Sequence, residues 1–478
     1  MKKIIPDNFC GMINMQDVGK GCDASFSVTN NIVTVIPLTE ECKKHNYELS
    51  YTDGSADKDS WIFGYSDDSC KVAFLRRTRL SSGISAPIDL SVSRFYAPVI
   101  VKGTKPIDVD LRTFDTIEFR GGIIDILHNP DLACRIDKNG RNIEFKDKSN
   151  YEKTYSVDIA DETIKITYSV DTSELKLEFG KTLDLRNAIH SVLRFDFDSS
   201  KQLSDIDKYY SYAMNLFQFC CGRLNVGFEI RLYKKNIRCN IEGKELTEEM
   251  PILVKFKDGF DDYANDVLDC MNVMRLNYLG DRFPQLLKIL AEEKSQPRLL
   301  FLPKRNKEIN NIQYTDVGDL CVAFDREFRL NSHEESEKQD DIFEFCNEID
   351  KFIDESKYNV ELKNRAKGLI GNIKNPSPKM IISLFYDNFE EFLKKITEQK
   401  DHDKYGVVKF YSNNNFKKLI SKFVDIRNKA AHTGVAWNDG TEIFVHLKVL
   451  IYFCILKRAG YSNDESANML SWLFNRFF

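Results

Sequence analysis

The sequence predicts an α+β chain: a β-rich N-terminal region of sandwich or barrel-like character, a mixed middle, and an all-helical C-terminal bundle. Three observations predict it. The first two hundred residues hold short β-branched or alternating runs punctuated by Gly, Asn and Asp. From about 201, helical spacing and strand alternation are mixed, and beyond 308 apolar residues recur at helical spacing alone. The division read from these shifts is 1–200, 201–308 and 309–478.

In the first region Ile32-Val33-Thr34-Val35-Ile36 is a β-branched strand. Thr163 to Tyr168 alternates and is followed, across Asp171-Thr172-Ser173, by Leu175-Lys176-Leu177-Glu178-Phe179, which predicts a hairpin. Trp61-Ile62-Phe63, Val72 to Leu75, Ile107 to Leu111 and Leu193 to Phe197 add further short strands. In the middle, Tyr209, Tyr212, Ala213, Leu216, Phe217 and Cys220 predict a helix over 204–221. Phe228 to Tyr233 returns to alternation, and two helices are expected within 261–294. After the polar connector 304–308 the expected helices are 314–330, 340–373 with a break near Lys357, 377–399, 414–433, 441–459 and 462–477. Pro376 and Pro378 mark one boundary, while Gly434 and Gly460 stand where helix C-caps belong.

Composition narrows the function classes. The 478 residues carry 68 Lys plus Arg against 73 Asp plus Glu, a formal net charge of −5, so the total charge does not point to nucleic acid. With 34 Phe and 20 Tyr the chain is not a disordered one. No run of 18 apolar residues is present, so no transmembrane helix is expected. The basic start Met1-Lys2-Lys3 lacks an apolar continuation, so no signal peptide is read and the expected location is the cytoplasm. The twelve cysteines include no Cys-x-x-Cys and mostly sit in apolar runs, as small hydrophobes do. Cys10, Cys22, Cys42 and His45 match no common zinc spacing, so no metal site is assigned. The charge is unevenly spread. Residues 334–355 hold ten acids against Lys338 and Lys351, and residues 404–432 hold seven bases against Asp425.

Motifs for common chemistry are missing. Val18-Gly19-Lys20-Gly21 lacks both the earlier Gly and the following Ser or Thr of a phosphate loop. No Gly-x-Ser-x-Gly, His-Glu-x-x-His or kinase signature occurs. The informative segment is Val424-Asp425-Ile426-Arg427-Asn428-Lys429-Ala430-Ala431-His432-Thr433-Gly434. On a helix, Phe416, Leu419, Ile420, Phe423, Ala430 and Ala431 form an apolar stripe with Arg427 in its middle. A guanidinium there needs a carboxylate, carbonyls or an anionic ligand. An acid such as Asp319, Asp325 or Glu327 would make Arg427 a structural staple. His432 lies ~140° around from Arg427, nearer the face of Asn428.

Arg427-Asn428-x-x-x-His432, followed by Thr433-Gly434 and set late in a helical region, resembles the Arg-x(4–6)-His motif of HEPN ribonucleases. A long β-rich front half ahead of such a bundle is similar to the ApeA-type anti-phage defence proteins of bacteria. Residues 203–232 and the stretch Asp319 to Asp325 fit that type too. The HEPN resemblance covers roughly 309–478, and the ApeA resemblance extends over the full length.

The resemblance implies a metal-independent endoribonuclease without a cofactor, acting in abortive infection on cellular RNA, with tRNA among the candidate targets. It gives catalytic roles to His432 as general acid or base, Arg427 as a phosphate clamp and Asn428 as an orienting group. Lys418, Lys422 and Lys429 would hold flanking phosphates. It further implies a homodimer through the HEPN bundle, and an N-terminal region that senses a phage-derived or other activator. The competing reading is a non-catalytic protein, with a ligand-binding β region and a HEPN-like bundle serving oligomerisation. A third is a recipient of nucleotidyl groups, which a Tyr close behind the motif would favour; none lies between His432 and Tyr452.

Overall fold

The computed structural model describes residues 5–14, 23–40, 42, 61–75, 78–85, 90–97, 99–105, 110–136, 143–172, 189–239, 245–256, 273–293, 299, 302, most of 319–330, 336–374 and 440–474. The chain divides into two compact units, Met1–Asn215 with Val226–Leu268, and Leu216–Asn225 with Asp269–Phe478. A large antiparallel sheet fills the first, and helices dominate the second, so the chain is α+β with its strands towards the N-terminus.

The strands are β1 (Asn8–Asn14), β2 (Asp23–Thr29), β3 (Ile32–Pro37), β4 (Trp61–Ser66), β5 (Lys71–Leu75), β6 (Thr78–Ser85), β7 (Leu90–Tyr96) and β8 (Val99–Gly103). There follow β9 (Thr113–Arg120), β10 (Cys134–Ile136), β11 (Ile143–Phe145), β12 (Lys153–Ile159), β13 (Glu162–Asp171), β14 (His190–Gln202), β15 (Glu229–Cys239) and β16 (Glu245–Phe256). Fourteen of them form one ladder in the order β12-β13-β14-β9-β15-β16-β8-β5-β4-β1-β2-β3-β7-β6, while β10 and β11 pair separately. Strands β15 and β16, from the stretch 201–308, stand inside this ladder between β9 and β8. Of the helices in the same stretch, Leu276–Leu279 and Phe283–Glu292 belong to the second unit, while Ile206–Cys221 begins in the first.

Turn chemistry sets the hairpins. Asn30 and Asn31 (φ 51° and 64°) join β2 to β3, and Ala160 and Asp161 (φ 47° and 66°) join β12 to β13. Two central residues in the left-handed region give the turn that matches strand twist. The expected hairpin between Thr163 to Tyr168 and Leu175 to Phe179 is corrected here. Strand β13 runs on through Asp171, and its two edges are occupied by β12 and β14. Residues 175–179 lie outside the described residues. The expected strand over 107–111 is also amended. Asp110 accepts from the Arg112 N–H at 3.0 Å and the Thr113 hydroxyl at 3.1 Å, a turn that delays the strand to Thr113. Residues 107–109 lie outside the described set.

One apolar row crosses five strands: Ile166, Phe195, Ile117, Leu232 and Ile252 are successive register partners. Helix α2 (Ile206–Cys221) lays Tyr209 on this side of the sheet, its ring 4.5 Å from Phe197 and 6.2 Å from Phe114; α1 is the short Gly122–Leu127. A second core joins Phe9, Phe26 and Phe74, with centroids 5.0–6.3 Å apart.

The second unit carries α3 (Leu276–Leu279), α4 (Phe283–Glu292), helical residues within 319–330, α5 (Ser336–Glu355), α6 (Val360–Lys374), α7 (Gly440–Arg458) and α8 (Asn463–Leu473). The break between α5 and α6 falls where the sequence places it, near Lys357. Helix α7 is apolar all round over Val449 to Leu456, and these residues are buried, as such a helix requires. Gly460 (φ 84°) ends it: its N–H donates to Lys457 O, and that of Tyr461 to Leu456 O. Ser462 and Glu465 then form a capping box that starts α8. Tyr452 stacks on Phe219 at 4.5 Å and meets Phe474 edge-on at 5.3 Å. Expected helices 377–399 and 414–433 lie outside the described residues. Among the described residues no helix is long and apolar enough to cross a membrane.

Candidate functional site

Arg427, Asn428 and His432, with Lys418, Lys422 and Lys429, all lie outside the described residues, as do Cys22 and His45. Of the acids that would make Arg427 a staple, Asp325 lies outside them too. Glu327 is fully buried, and its Oε2 accepts from Arg458 Nη2 at 2.7 Å. Cys10 is exposed, whereas Cys42, Cys70, Cys134, Cys220, Cys221, Cys346 and Cys454 are buried. No cluster of metal-ligating side chains occurs among the described residues.

An array of paired charges sits on the first unit's sheet, opposite the apolar row. Register makes Thr167, Arg194, Glu118, Arg231 and Leu253 successive neighbours on that side, with Asp196, Thr116 and Tyr233 in the next row. Glu118 is only 4% exposed and Thr116 is fully buried. Glu118 accepts from Arg120 Nε and, at 2.9 Å, from the Tyr233 hydroxyl. Arg120 Nη2 reaches across to Asp171. Arg194 donates to Asp196 at 2.8 Å and grips Glu249 with both terminal nitrogens, lying 5.4 Å from the Tyr233 ring centre.

The electrostatics follow from this pairing. Burial works against the charge on Arg120, but Glu118, Tyr233 and Asp171 more than offset it, so its proton is held more tightly than usual. Arg194 behaves likewise through Glu249 and Asp196. Burial and the Glu118 charge both push the Tyr233 hydroxyl up, keeping it a donor.

The rim of this patch carries an acid–histidine pair. His190 stands opposite Asp171 in register, and its Nδ1 is 3.3 Å from Asp125 Oδ2. Asp125 Oδ1 accepts from the Ser191 N–H at 2.6 Å, which fixes the carboxylate. His128 is different: it is buried, its Nε2 lies 2.7 Å from Tyr151 O, and burial pushes its pKa down. That ring is neutral and donates from Nε2 to the carbonyl. The patch can thus present one half-buried histidine beside a carboxylate and two tightly protonated guanidiniums; none of its described groups is an activated nucleophile.

This patch is not legible in the sequence alone. Thr116, Glu118 and Arg120 alternate with apolar residues on β9, as Arg194 and Asp196 do on β14 and Arg231 and Tyr233 on β15. Alternation of that kind also describes a solvated face. The separating signal is a charge of each sign on three neighbouring strands, which becomes visible only once register is known. No protein-family model, curated protein or solved structure matches the chain.

Proposed function

We propose that the chain is a metal-independent endoribonuclease of the HEPN type, serving as an anti-phage effector that cuts cellular RNA. The observation that carries this is the Arg427-Asn428-x-x-x-His432 spacing within a segment, 404–432, of seven bases and one acid. Helices on both sides of it in the chain, α5 and α6 before and α7 and α8 after, are in keeping with a helical setting. In this reading the RNA 2′-oxygen attacks the adjacent phosphorus while the 5′-oxygen leaves. His432 removes the 2′ proton or delivers one to the leaving oxygen, as a near-neutral imidazole can. Arg427 places its planar fork on the phosphate oxygens as charge builds, and Asn428 orients the histidine or the phosphate. The products are a 2′,3′-cyclic phosphate and a 5′-hydroxyl, with no metal step. Two copies bring their motif segments together through Phe423 and Ala430, and Lys418, Lys422 and Lys429 hold flanking phosphates.

Purified protein incubated with total tRNA and with mRNA tests this. Cleavage that survives EDTA, leaves cyclic phosphate ends and vanishes in His432→Ala and Arg427→Ala supports it. Cleavage that leaves 3′-hydroxyl ends, or that persists in His432→Ala, refutes it. A second reading, a ligand-binding β region with no nuclease, draws on the Asp125–His190 pair beside the Arg120 and Arg194 networks.

A further inference from the structure

Helices α5 and α6 form a hairpin whose seam holds the buried Cys346 and Ile370. One flank of it is closed by Lys367 and Asp354, paired at 2.6 Å, with Lys363 Nζ on Asp354 O at 2.8 Å. The other flank is apolar. On α5, Phe345 and Phe352 are 56% and 75% exposed, with half-buried Ile349 between them at i, i+4, i+7 spacing. On α6, Leu362 and Leu369 are 50% and 64% exposed, with half-buried Ala366 at the matching position. At ~100° per residue both stripes fall on the side of the hairpin away from the Lys367–Asp354 pair. They also match in height above the loop. Phe352 and Leu362 are nearest it, Ile349 and Ala366 are a turn further, and Phe345 and Leu369 complete three layers.

We propose that this face docks on the same face of a second copy of the chain, making a four-helix contact about a two-fold axis parallel to the helices. Charge selects both the occupant and the orientation. Helix α5 carries eight acids against Lys338 and Lys351, while α6 carries Lys363, Arg365, Lys367 and Lys374 against Glu361. A two-fold axis across the helices would stack acidic α5 on acidic α5. An axis along them sets each α5 on the other copy's α6, opposite in charge and antiparallel in direction, with the apolar layers closed between. That arrangement brings Glu348, on the outer edge of the α5 stripe, to Arg365 on the outer edge of the α6 stripe of the other copy. Among the described residues neither side chain makes an ion pair or hydrogen bond within the chain. This contact is separate from the one through Phe423 and Ala430 and does not depend on ribonuclease activity.

The test is sedimentation of the full chain at micromolar concentration, read against the 55.4 kDa chain mass. Phe352→Asp should weaken self-association at least ~tenfold, because a carboxylate then enters the apolar layer, while circular dichroism stays unchanged. Glu348→Arg and Arg365→Glu should each weaken it, and the double variant should restore it, since both pairs re-form with reversed sign. A wild-type chain that sediments as a monomer overturns the proposal. So does an assembly unmoved by Phe352→Asp, or a double charge variant no better than the single ones.

Discussion

Arg458 offers the sharpest test of how the second unit is held together. From the end of α7 its Nη1 binds Glu293 and its Nη2 binds Glu327 at 2.7 Å, with side-chain exposures of 15%, 17% and 0% respectively. Burial works against the guanidinium charge, but the two carboxylates hold its proton more tightly than usual. Arg458→Met keeps most of the packing stem and removes the cation, so two acids, one fully buried, lose their shared counter-ion. Breaking a buried pair from one side costs about 3–5 kcal/mol. At ~2–4 °C per kcal/mol for a unit of this size, the melting of the second unit should fall by about 6–20 °C. Urea unfolding followed by circular dichroism gives the free energy directly. Glu327→Gln placed in the Arg458→Met background should recover much of the loss, since an amide is far cheaper to bury than an unpaired carboxylate. A loss below about 1 kcal/mol, or no recovery in the double variant, would refute this account of the pairing.

Glu162 should contribute a pH-dependent share to the first unit. Burial opposes its charge, but Lys201, Lys208 and the Tyr209 hydroxyl hold its carboxyl below the ordinary range. A depressed carboxylate stabilises above its unfolded pKa and loses that contribution as pH falls below it. Glu162→Gln should therefore cost about 1–2 kcal/mol at pH 7, with the gap to wild type closing as pH drops below about 4.5; a gap that is constant with pH would contradict the pairing. Burial pushes the Cys454 and Cys134 thiols up, so alkylation of the native protein mapped by mass spectrometry should mark Cys10 and leave those two unmodified. Modification of Cys454 at a rate near that of Cys10 would show the α7 packing to be open.

Element types were legible wherever a period was long or a terminator was chemical. The helix expected over 204–221 is Ile206–Cys221, and Gly460 ends α7 through the backbone conformation that only glycine adopts easily. Pairing was not legible. The run Thr163 to Tyr168 has a plausible partner in Leu175 to Phe179, yet its neighbours are β12 and β14. The turn that decides this, Ala160-Asp161, lacks the Asn-Gly or Asp-Gly signature that marks such turns. Environment was hidden for the same reason. Thr116 meets Asp196 from 80 positions away and Glu118 meets Tyr233 from 115, so no local period tells whether those charges face water or one another. The acidic block 334–355 shows the converse: its ten acids give no sign that Phe345 and Phe352 stand exposed among them on α5.

The same ambiguity governs Arg427, a charge that helical spacing would set on an apolar stripe, where it would be either a staple or a ligand clamp. Arg458 shows what a staple looks like in this chain: a helix-borne guanidinium with two carboxylates, one of them wholly buried. If Arg427 is a second staple, Arg427→Met should cost as much as Arg458→Met, about 3–5 kcal/mol. If its partner is an RNA phosphate, the free protein has no carboxylate to strand, and the variant should lie within about 1 kcal/mol of wild type or above it. Comparing the two variants in one urea series cancels the uncertainty in what a buried arginine contributes, because the packing stem is the same. Loss of RNA cleavage with stability unchanged assigns Arg427 to the substrate. Loss of both together assigns it to the fold, and would leave His432 as the residue on which the ribonuclease reading stands.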